Sequence, residues 1–527
     1  MKRFTLIVTT LIFSTILGAS GVNEGVLQPS YPPLESQNTF TIAMLASEDE
    51  LYLNPAQATD TVSLLVLDGL FEGLFSLAPQ TGEPIAALAK RFTTSQNGLH
   101  WTFYLDERGR FSNGEPITAQ SIVDSWLWLL ERSRDENDNT YLVSMLDCIE
   151  GVAAYRTGNG SKGAIGISVS DPLTIELTLQ YPAPYLPALL GTLPFSAIHS
   201  SLRNSKETPP KIIASGPYVI ERIDTQEVKL AKHPWYRDYK AVPSDYIRFQ
   251  FMDYLPLIEA YLEEEIHWSL AYIPRELLHD KEDLRITPEY STGFYYFSTN
   301  EGAYSDPRIR RALELLIPWE DIRKESKQIF PSPFLVPNQK RTAKTNSFQD
   351  NQSEALQLLT EAGYPYGAGL PQLHIAVHRG AQVIESAEKI ADIWSKNLGI
   401  TVVIDIVPLS MYSRYPNTSP YDFAFITWIG DFLDPFTFLH LFSGSSGYNL
   451  GQYHNKEYDS LLNLAMAATT KEERNRLIEE AEDYLLSESV VFPLYHGITT
   501  NIINSKKVTG WYDNILNIHP VKHLAFE

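Results

Sequence analysis

The chain has 527 residues, 44% of them hydrophobic and 20% charged, so core material suffices for two or three domains and a disordered protein is excluded. Its 64 acidic and 42 basic residues give a formal net charge of -22, which argues against nucleic acid as a partner because phosphates need a basic face. The 12% aromatic share suits either a large core or the walls of ligand cavities.

The N-terminal stretch MKRFTLIVTTLIFSTILGASGV is typical of an export signal. A basic pair at 2–3 precedes an apolar run over 4–17, and small residues at 19–21 provide a cleavage site. The apolar run is shorter than the ~20 residues of a membrane span, although a retained anchor is the alternative. Ser20 stands where a bacterial lipoprotein carries cysteine. We therefore expect a cleaved signal peptide over 1–21, no lipid anchor and a periplasmic protein.

In the first half of the chain, apolar spacing and turn residues predict a series of short elements. They are a strand at 39–45, a helix-like segment at 61–74, a strand at 100–105, a helix capped by Thr118, a strand at 172–179 and a β-hairpin within 214–236.

The second half has the pattern of an α/β domain. Asp306 and Pro307 predict a helix start, because they suit the N-cap and first helical positions. Residues 371–407 read as strand, helix and strand, with the helix stopped by Gly399. That βαβ order predicts a parallel sheet. A charged amphipathic helix is expected at 471–488, followed by β-structure from 490.

The sequence has no recognisable motif for catalysis or metal binding. The chain lacks GxSxG, HExxH, a Walker loop and an EF-hand loop, and its single cysteine, Cys148, cannot form an intramolecular disulfide. His374 and His378 have metal-ligand spacing, but the predicted strand makes them ordinary residues on one side of it. We expect no cofactor, no metal site and no enzymatic activity.

Several motifs resemble those of one protein family and follow one another in the same order as in that family. They are LFEGL at 70–74, GPYVIERI at 216–223, FYYFSTN at 294–300, DPRIRRAL at 306–313, EAGYPYGAGLP at 361–371, GDFLDPFTFLHLF at 430–442 and PLYH at 493–496. Across residues 39–527 the sequence resembles the bacterial extracytoplasmic oligopeptide- and dipeptide-binding proteins of ATP-driven (ABC) importers, solute-binding protein family 5.

The resemblance implies an α/β, two-lobed periplasmic-binding-protein fold with three domains, in the class with an extra inserted domain. The expected boundaries are the signal peptide at 1–21, a discontinuous first-lobe domain at 22–71, 183–293 and 501–527, an inserted domain at 72–182, and a second-lobe α/β domain at 294–500.

The resemblance also implies a monomeric receptor that binds peptides between its lobes and delivers them to permease subunits with cytoplasmic ATPases. A receptor of the same fold for a specialised ligand, such as a peptidoglycan-derived peptide or a metal chelate, is an alternative. A secreted hydrolase or a chaperone-like surface protein is an alternative of another class, although no nucleophile motif supports hydrolysis.

The segment WIGDFLDPFTFLHLF, residues 428–442, places two carboxylates in an apolar run. Asp434 precedes a proline, which predicts that it caps a helix. Asp431 lies at the end of a predicted strand, where α/β proteins bind ligands, and a desolvated carboxylate needs a charged partner. In the family this aspartate pairs with the amino terminus of the peptide. An internal salt bridge to lysine or arginine is the alternative.

Residues next to Asp431 complete the expected site. Trp428 is expected to line the same pocket. The resemblance implies that backbone groups of Thr427 and Ile429, with Gly430 beside them, add to an extended peptide as a neighbouring strand does. Affinity would then depend on the ligand main chain.

The sequence departs from the family at the other end of the ligand. Members often carry arginine six residues before the amino-binding aspartate, where this chain has Phe425. We interpret Arg379, in the loop before the βαβ helix, as either the carboxylate anchor or a solvent-exposed side chain. Tyr295, Tyr296 and Tyr495 are further cavity candidates.

Overall fold

The computed structural model of the protein describes residues 38–46, 51–58, 60–135, 141–205, 211–324, 330–337, 352–408 and 421–527. The expected signal peptide at 1–21 lies outside these residues. Among the helices that are described, none is long and apolar enough to cross a membrane.

Both strands and helices occur throughout the described ranges. The strands are β1 Thr39–Leu45, β2 Phe75–Leu77, β3 Pro84–Ala86, β4 Ala89–Thr94, β5 His100–Leu105, β6 Ile167–Asp171, β7 Thr174–Thr178, β8 Tyr218–Ile223, β9 Glu227–Lys232, β10 Tyr246–Met252, β11 Trp268–Ser269, β12 Leu284–Phe297, β13 Phe330–Pro331, β14 Leu373–Val377, β15 Val402–Ile406, β16 Phe423–Ile429, β17 Val491–Ile503, β18 Val508–Thr509 and β19 Ala525–Phe526. The α-helices are α1 Thr61–Leu70, α2 Ala119–Arg132, α3 Val152–Arg156, α4 Leu186–Leu189, α5 Ser200–Arg203, α6 Tyr254–Leu262, α7 Pro307–Leu315, α8 Trp319–Lys324, α9 Gln352–Glu361, α10 Ala381–Leu398, α11 Phe436–Leu439, α12 Lys456–Ala467 and α13 Lys471–Ser487.

One large sheet joins both halves of the described chain. Its strand order is β15-β14-β16-β12-β17-β11-β1-β10-β9-β8, and β13 also pairs with β17. Strands β12 and β17 cross from one half to the other. Leu284–Pro288 pair with 498–502, and after an irregularity Thr292–Tyr296 pair with 491–496. The two halves are therefore connected through two adjacent antiparallel strands.

A second sheet, with order β4-β5-β7-β6, lies entirely within residues 89–178. Helix α2 packs beside it, and Thr118 and Ser121 form a reciprocal capping box at its start, as predicted for Thr118. Trp126 of this helix is fully buried and donates from Nε1 to the carbonyl of Phe195 at 3.0 Å. This sheet has its own buried apolar face.

The βαβ prediction is confirmed. Strands β14 and β15 are parallel, and α10 connects them. The helix ends at Gly399, whose φ of 65° is the left-handed conformation that glycine adopts most easily. Its buried face includes Ala387, Ile390 and Trp394, and this face packs against the large sheet. The hairpin β8–β9 and the helix starting at Pro307 also form as predicted.

Two local predictions were wrong. The helix predicted at 61–74 ends at Leu70. The amides of Ser215 and Gly216 donate to the Leu70 carbonyl at 3.1 and 2.9 Å, so this carbonyl does not continue the helix. Strand β14 ends at Val377, so His378 does not share a strand face with His374. The His374 ring lies 2.8 Å from an Asp405 oxygen.

Candidate functional site

Asp434 lies just before the short helix α11, two positions ahead of its first residue, Phe436. Its Oδ1 accepts the amide of Phe436 at 2.9 Å, so Asp434 bonds the first turn of the helix as predicted, although the N-cap position is occupied by Pro435 and not by Asp434. The same oxygen also accepts from Arg474 Nη2 at 2.8 Å, and both side chains of this ion pair are nearly buried. Arg474 lies on α13, 40 positions later in the chain, so the sequence pattern did not reveal it. Asp434 is therefore part of the structure that holds the segment in place.

Asp431 lies in the turn between β16 and α11, and its carboxyl group is buried although part of the residue is exposed. Thr437 donates its hydroxyl to Oδ2 at 3.1 Å, and the same hydroxyl oxygen accepts the Asp431 amide at 3.3 Å. Burial raises the pKa of Asp431 to about 7, and hydrogen bonds offset this only in part. An arriving cation would favour the ionised form of such a carboxyl group.

Aromatic side chains surround this turn. Trp428 is 9% exposed, and its ring meets that of Tyr448 edge to face at 5.5 Å. Burial, together with the charge of Asp431, raises the pKa of the Tyr448 phenol. Tyr290 closes another side, and a Cβ at Gly430 would lie 2.5 Å from its ring. The geometry therefore requires glycine at 430.

The structure thus brings Asp431, Trp428 and Gly430 together and adds Thr437, Tyr448 and Tyr290, which no sequence pattern indicated. Thr437 looked like an ordinary residue of the helix that Asp434 caps. Tyr290 and Tyr448 are distant in sequence, and only the fold places them here.

The ladder between β16 and β12 fixes where the backbone groups of β16 point. Ser298 donates to the Asp422 carbonyl at 2.8 Å, and Gly430 donates to the Tyr290 carbonyl at 2.8 Å. In an antiparallel pair, hydrogen-bonded positions alternate. The even-numbered residues between 422 and 430 therefore bond to β12, and the odd-numbered ones point to the opposite edge.

That opposite edge is covered only at its start within the described part of the chain. There β14 pairs with Phe423 and Ala424, and no described strand pairs further along this edge. Thr427 and Ile429 accordingly direct their amide and carbonyl groups towards an edge at which an extended ligand could add as a strand. Asp431 follows directly after this edge.

The three tyrosine candidates lie in different places. Tyr295 is fully buried on the α10 side of the sheet, where its hydroxyl lies 2.8 Å from Ser386 Oγ. Tyr296 is buried on the other side, in the same core as Trp428. Tyr495 is half-buried, and its hydroxyl lies 3.5 Å from Thr427 Oγ1. The geometry therefore places Tyr495 beside the edge and Tyr295 in the core.

Phe425 is fully buried, and its ring contacts those of Tyr295 and His378 at 5.0 and 5.6 Å. Together with Tyr495, Val383 and other residues it lines a cavity of about 30 Å³ between the sheet and α10. The position where the family often has an arginine is thus part of an aromatic core.

Arg379 is exposed in the loop before α10 and precedes Gly380, the N-cap of that helix. A guanidinium there could reach a ligand carboxylate near the helix N-terminus.

Comparisons with known proteins agree with this architecture. Residues 83–449 match the family model described as bacterial extracellular solute-binding proteins, family 5 middle. The chain is 27% identical over 523 residues to the oligopeptide-binding protein OppA of Bacillus subtilis, covering 94% of each chain.

Solved structures show the same fold. The murein tripeptide binding protein MppA of Escherichia coli matches with a TM-score of 0.80 at 23% identity, over 93% of this chain and 99% of that one. An oligopeptide-binding protein of Borrelia burgdorferi, OppAIV, matches with a TM-score of 0.80 at 25% identity, over 93% of this chain and 100% of that one. The predicted two-lobed, three-domain periplasmic-binding-protein fold is confirmed, and the chain belongs to family 5 of the bacterial extracellular solute-binding proteins.

Proposed function

We propose that this protein is an extracytoplasmic receptor that binds peptides between its two lobes and delivers them to an ATP-driven membrane importer. The observation that carries this proposal is the buried carboxyl group of Asp431, directly after the stretch of the β16 edge at which no described strand pairs. A free peptide offers both matching parts, an α-ammonium group for the carboxylate and a main chain for the strand edge. Its similarity to oligopeptide-binding relatives supports the same conclusion.

The proposed binding mode explains how many sequences could be accepted. The ammonium group pairs with Asp431, and main-chain groups bond to Thr427 and Ile429. These interactions do not depend on ligand side chains, so specificity for sequence is low. The strands β12 and β17 supply the connection about which the lobes close, and the ligand stabilises closure only by its differential affinity for the closed state.

Calorimetry with a free peptide and its N-acetylated form tests the proposal. Acetylation removes the ammonium group while leaving the rest of the main chain in place. We expect the acetylated form to bind at least about tenfold more weakly, since a charge-assisted hydrogen bond to a buried carboxylate is lost. Equal affinity for the two peptides would remove the assigned role of Asp431.

Binding without catalysis is part of the same proposal. The matched family and the matched structures are binding proteins, and we propose that this chain likewise does not transform its ligand. Peptides recovered after long incubation with the protein should have unchanged masses. Cleavage products that scale with protein concentration would instead support a hydrolase.

A second candidate is a receptor for a specialised peptide, such as one derived from peptidoglycan. Phe425 favours it, because the aromatic core at that position offers no cation to a simple peptide carboxylate. The similarity to a murein tripeptide binding protein is consistent with this ligand class. Native mass spectrometry of the purified protein would identify the co-purifying molecule. A mixture of ordinary peptides would favour the general receptor.

We further propose that the mature protein is a periplasmic monomer, released by cleavage at 19–21, and that it docks on permease subunits with cytoplasmic ATPases. Sequencing the N-terminus of the secreted protein checks the cleavage. Light scattering checks the monomer, and stimulation of ATP hydrolysis by the reconstituted importer checks the docking.

The domain boundaries given above remain our proposal for how the chain is divided. The separate sheet at 89–178 supports an inserted domain at 72–182.

A further inference from the structure

The two lobes meet at the segment that carries Asp431. The ring of Tyr185, from the first lobe, stacks on Phe432 at 6.2 Å and 15° and on Phe436 at 5.5 Å and 24°. Tyr185 is 3% exposed, and its hydroxyl donates to the Met145 carbonyl at 3.2 Å, which fixes the ring in place. Its apolar face is thus presented to the second lobe.

A polar contact lies beside this stack. Ser144 Oγ of the inserted domain lies 2.8 Å from His440 Nε2 of the second lobe, and both residues are buried. The His440 ring also stacks on Phe436 at 5.0 Å. Two different kinds of interaction therefore join the same two surfaces.

The second-lobe residues in these contacts directly flank the proposed anchor. Phe432 follows Asp431, and Phe436 precedes Thr437, whose hydroxyl holds the Asp431 carboxyl group. The contacts to the first lobe and the proposed anchor therefore lie on one short segment of the second lobe.

We propose that Ser144 and Tyr185 act as a latch, which means that their contacts with residues 432–440 stabilise the closed arrangement of the lobes over the ligand. The identity of the ligand in this proposal rests on the proposed function, whereas the closure of the lobes does not. When the lobes separate about β12 and β17, the Tyr185 stack and the Ser144–His440 contact must break, because their partners belong to opposite lobes. A hydroxyl and an imidazole can each be solvated again, which makes this part of the contact reversible.

The latch explains how ligand capture and closure are coupled. A receptor that is closed for only part of the time shows an affinity reduced by that fraction. Weakening the latch lowers the closed fraction and therefore the apparent affinity, without any change in the groups that contact the ligand.

Variants Tyr185→Leu and Ser144→Ala test the latch in the full-length mature protein. Spin labels at Lys162→Cys and Asn463→Cys, both exposed and one in each lobe, report the interlobe distance. The natural Cys148 is fully buried and will not take the label. Without ligand, we expect both latch variants to move population from the short to the long distance.

Two matched controls remove an aromatic ring and a serine hydroxyl whose contacts lie inside one domain. Phe92→Leu breaks the stack of Phe92 on Trp101, which lies within the inserted domain, and Ser133→Ala removes a bond to the Leu130 carbonyl within one helix segment. Both controls should keep the distance distribution of the unmodified protein.

Binding of trialanine is the second readout. Loss of an aromatic contact should weaken apparent binding by about two- to tenfold in Tyr185→Leu, with a smaller loss in Ser144→Ala. Unchanged distances in both latch variants would overturn the latch, and Ser144→Ala keeps this test available if Tyr185→Leu does not fold. If the unmodified protein binds no peptide, the proposed function fails, while the distance readout still decides about the latch.

Discussion

Replacing Thr437 by valine removes one hydroxyl group from beneath Asp431 and keeps the shape of the side chain. Thr437 is fully buried, so water does not readily replace the lost group. The hydroxyl donates to the carboxyl group at 3.1 Å and accepts the Asp431 amide at 3.3 Å. The variant therefore loses two interactions that hold the proposed anchor.

The size of the effect follows from these distances. Hydrogen bonds to charged groups are worth about 1.5–3 kcal/mol. A strong bond from a hydroxyl to a carboxylate measures about 2.5–2.7 Å, so the 3.1 Å bond here belongs at the lower end of that range. We expect Thr437→Val to lose about 1.5 kcal/mol of binding free energy, which is roughly tenfold in Kd for a free peptide.

The pH dependence gives an independent signature. Burial raises the pKa of Asp431 from 3.8 to about 7, and only the ionised form can pair with an ammonium group. Affinity should therefore be greatest between about pH 7 and 8, where the carboxyl group is ionised and the peptide α-ammonium group, with an ordinary pKa of about 8, still holds its proton. It should fall as the pH drops below 7, by up to about tenfold per unit. Loss of the Thr437 hydrogen bond, which lowers this pKa, should move the start of the fall to higher pH.

Calorimetry across pH 5–9, with free and N-acetylated peptide, measures both effects. Thr299→Val is a matched control, because its hydroxyl bonds to the Gly451 carbonyl at 3.1 Å in the same lobe. The reasoning is refuted if Thr437→Val keeps the affinity and the pH profile of the unmodified protein, or if the control loses as much affinity.

Three further predictions follow from the same region. Arg379→Gln should weaken binding of peptides with a free carboxylate by about three- to tenfold and leave C-terminally amidated peptides unaffected, as measured by calorimetry; an equal loss for both would show that Arg379 is not the carboxylate anchor. Arg474→Ala should lower the free energy of unfolding by about 3–5 kcal/mol in urea titrations, because it leaves the nearly buried Asp434 carboxylate without its cation; a loss below about 1 kcal/mol would mean that the pair behaves as a surface pair. Gly430→Ala should reduce peptide affinity by more than about tenfold, since its Cβ would lie 2.5 Å from a Tyr290 ring carbon and 3.0 Å from Thr437 Cγ2; unchanged affinity would show that this turn need not be tight.

Residues that start or stop a helix through their own backbone or side chain were predictable from the local sequence. Gly399 stops α10 in the left-handed conformation, and Asp434 bonds the first turn of α11, as expected from their positions beside helix patterns. The helix at 61–74 was predicted too long, because the Leu70 carbonyl is taken by amides that come from more than 140 positions later.

The candidate site was only partly predictable for the same reason. Asp431 stood out because a carboxylate in an apolar run needs an explanation. Tyr290, Tyr448 and the hydroxyl role of Thr437 gave no local signal, since the fold alone brings them together. Tyr295 is a cavity candidate from the sequence, but its hydrogen bond to Ser386 places it in the core beneath α10.

A crystal structure of the protein with a peptide of defined sequence and a free amino terminus tests the central claim most directly. We predict that the ammonium nitrogen lies about 2.7–3.2 Å from the Asp431 carboxylate and that the peptide main chain runs along Thr427 and Ile429. A peptide whose amino terminus lies elsewhere in the cleft, with Asp431 still held only by protein groups, would contradict it.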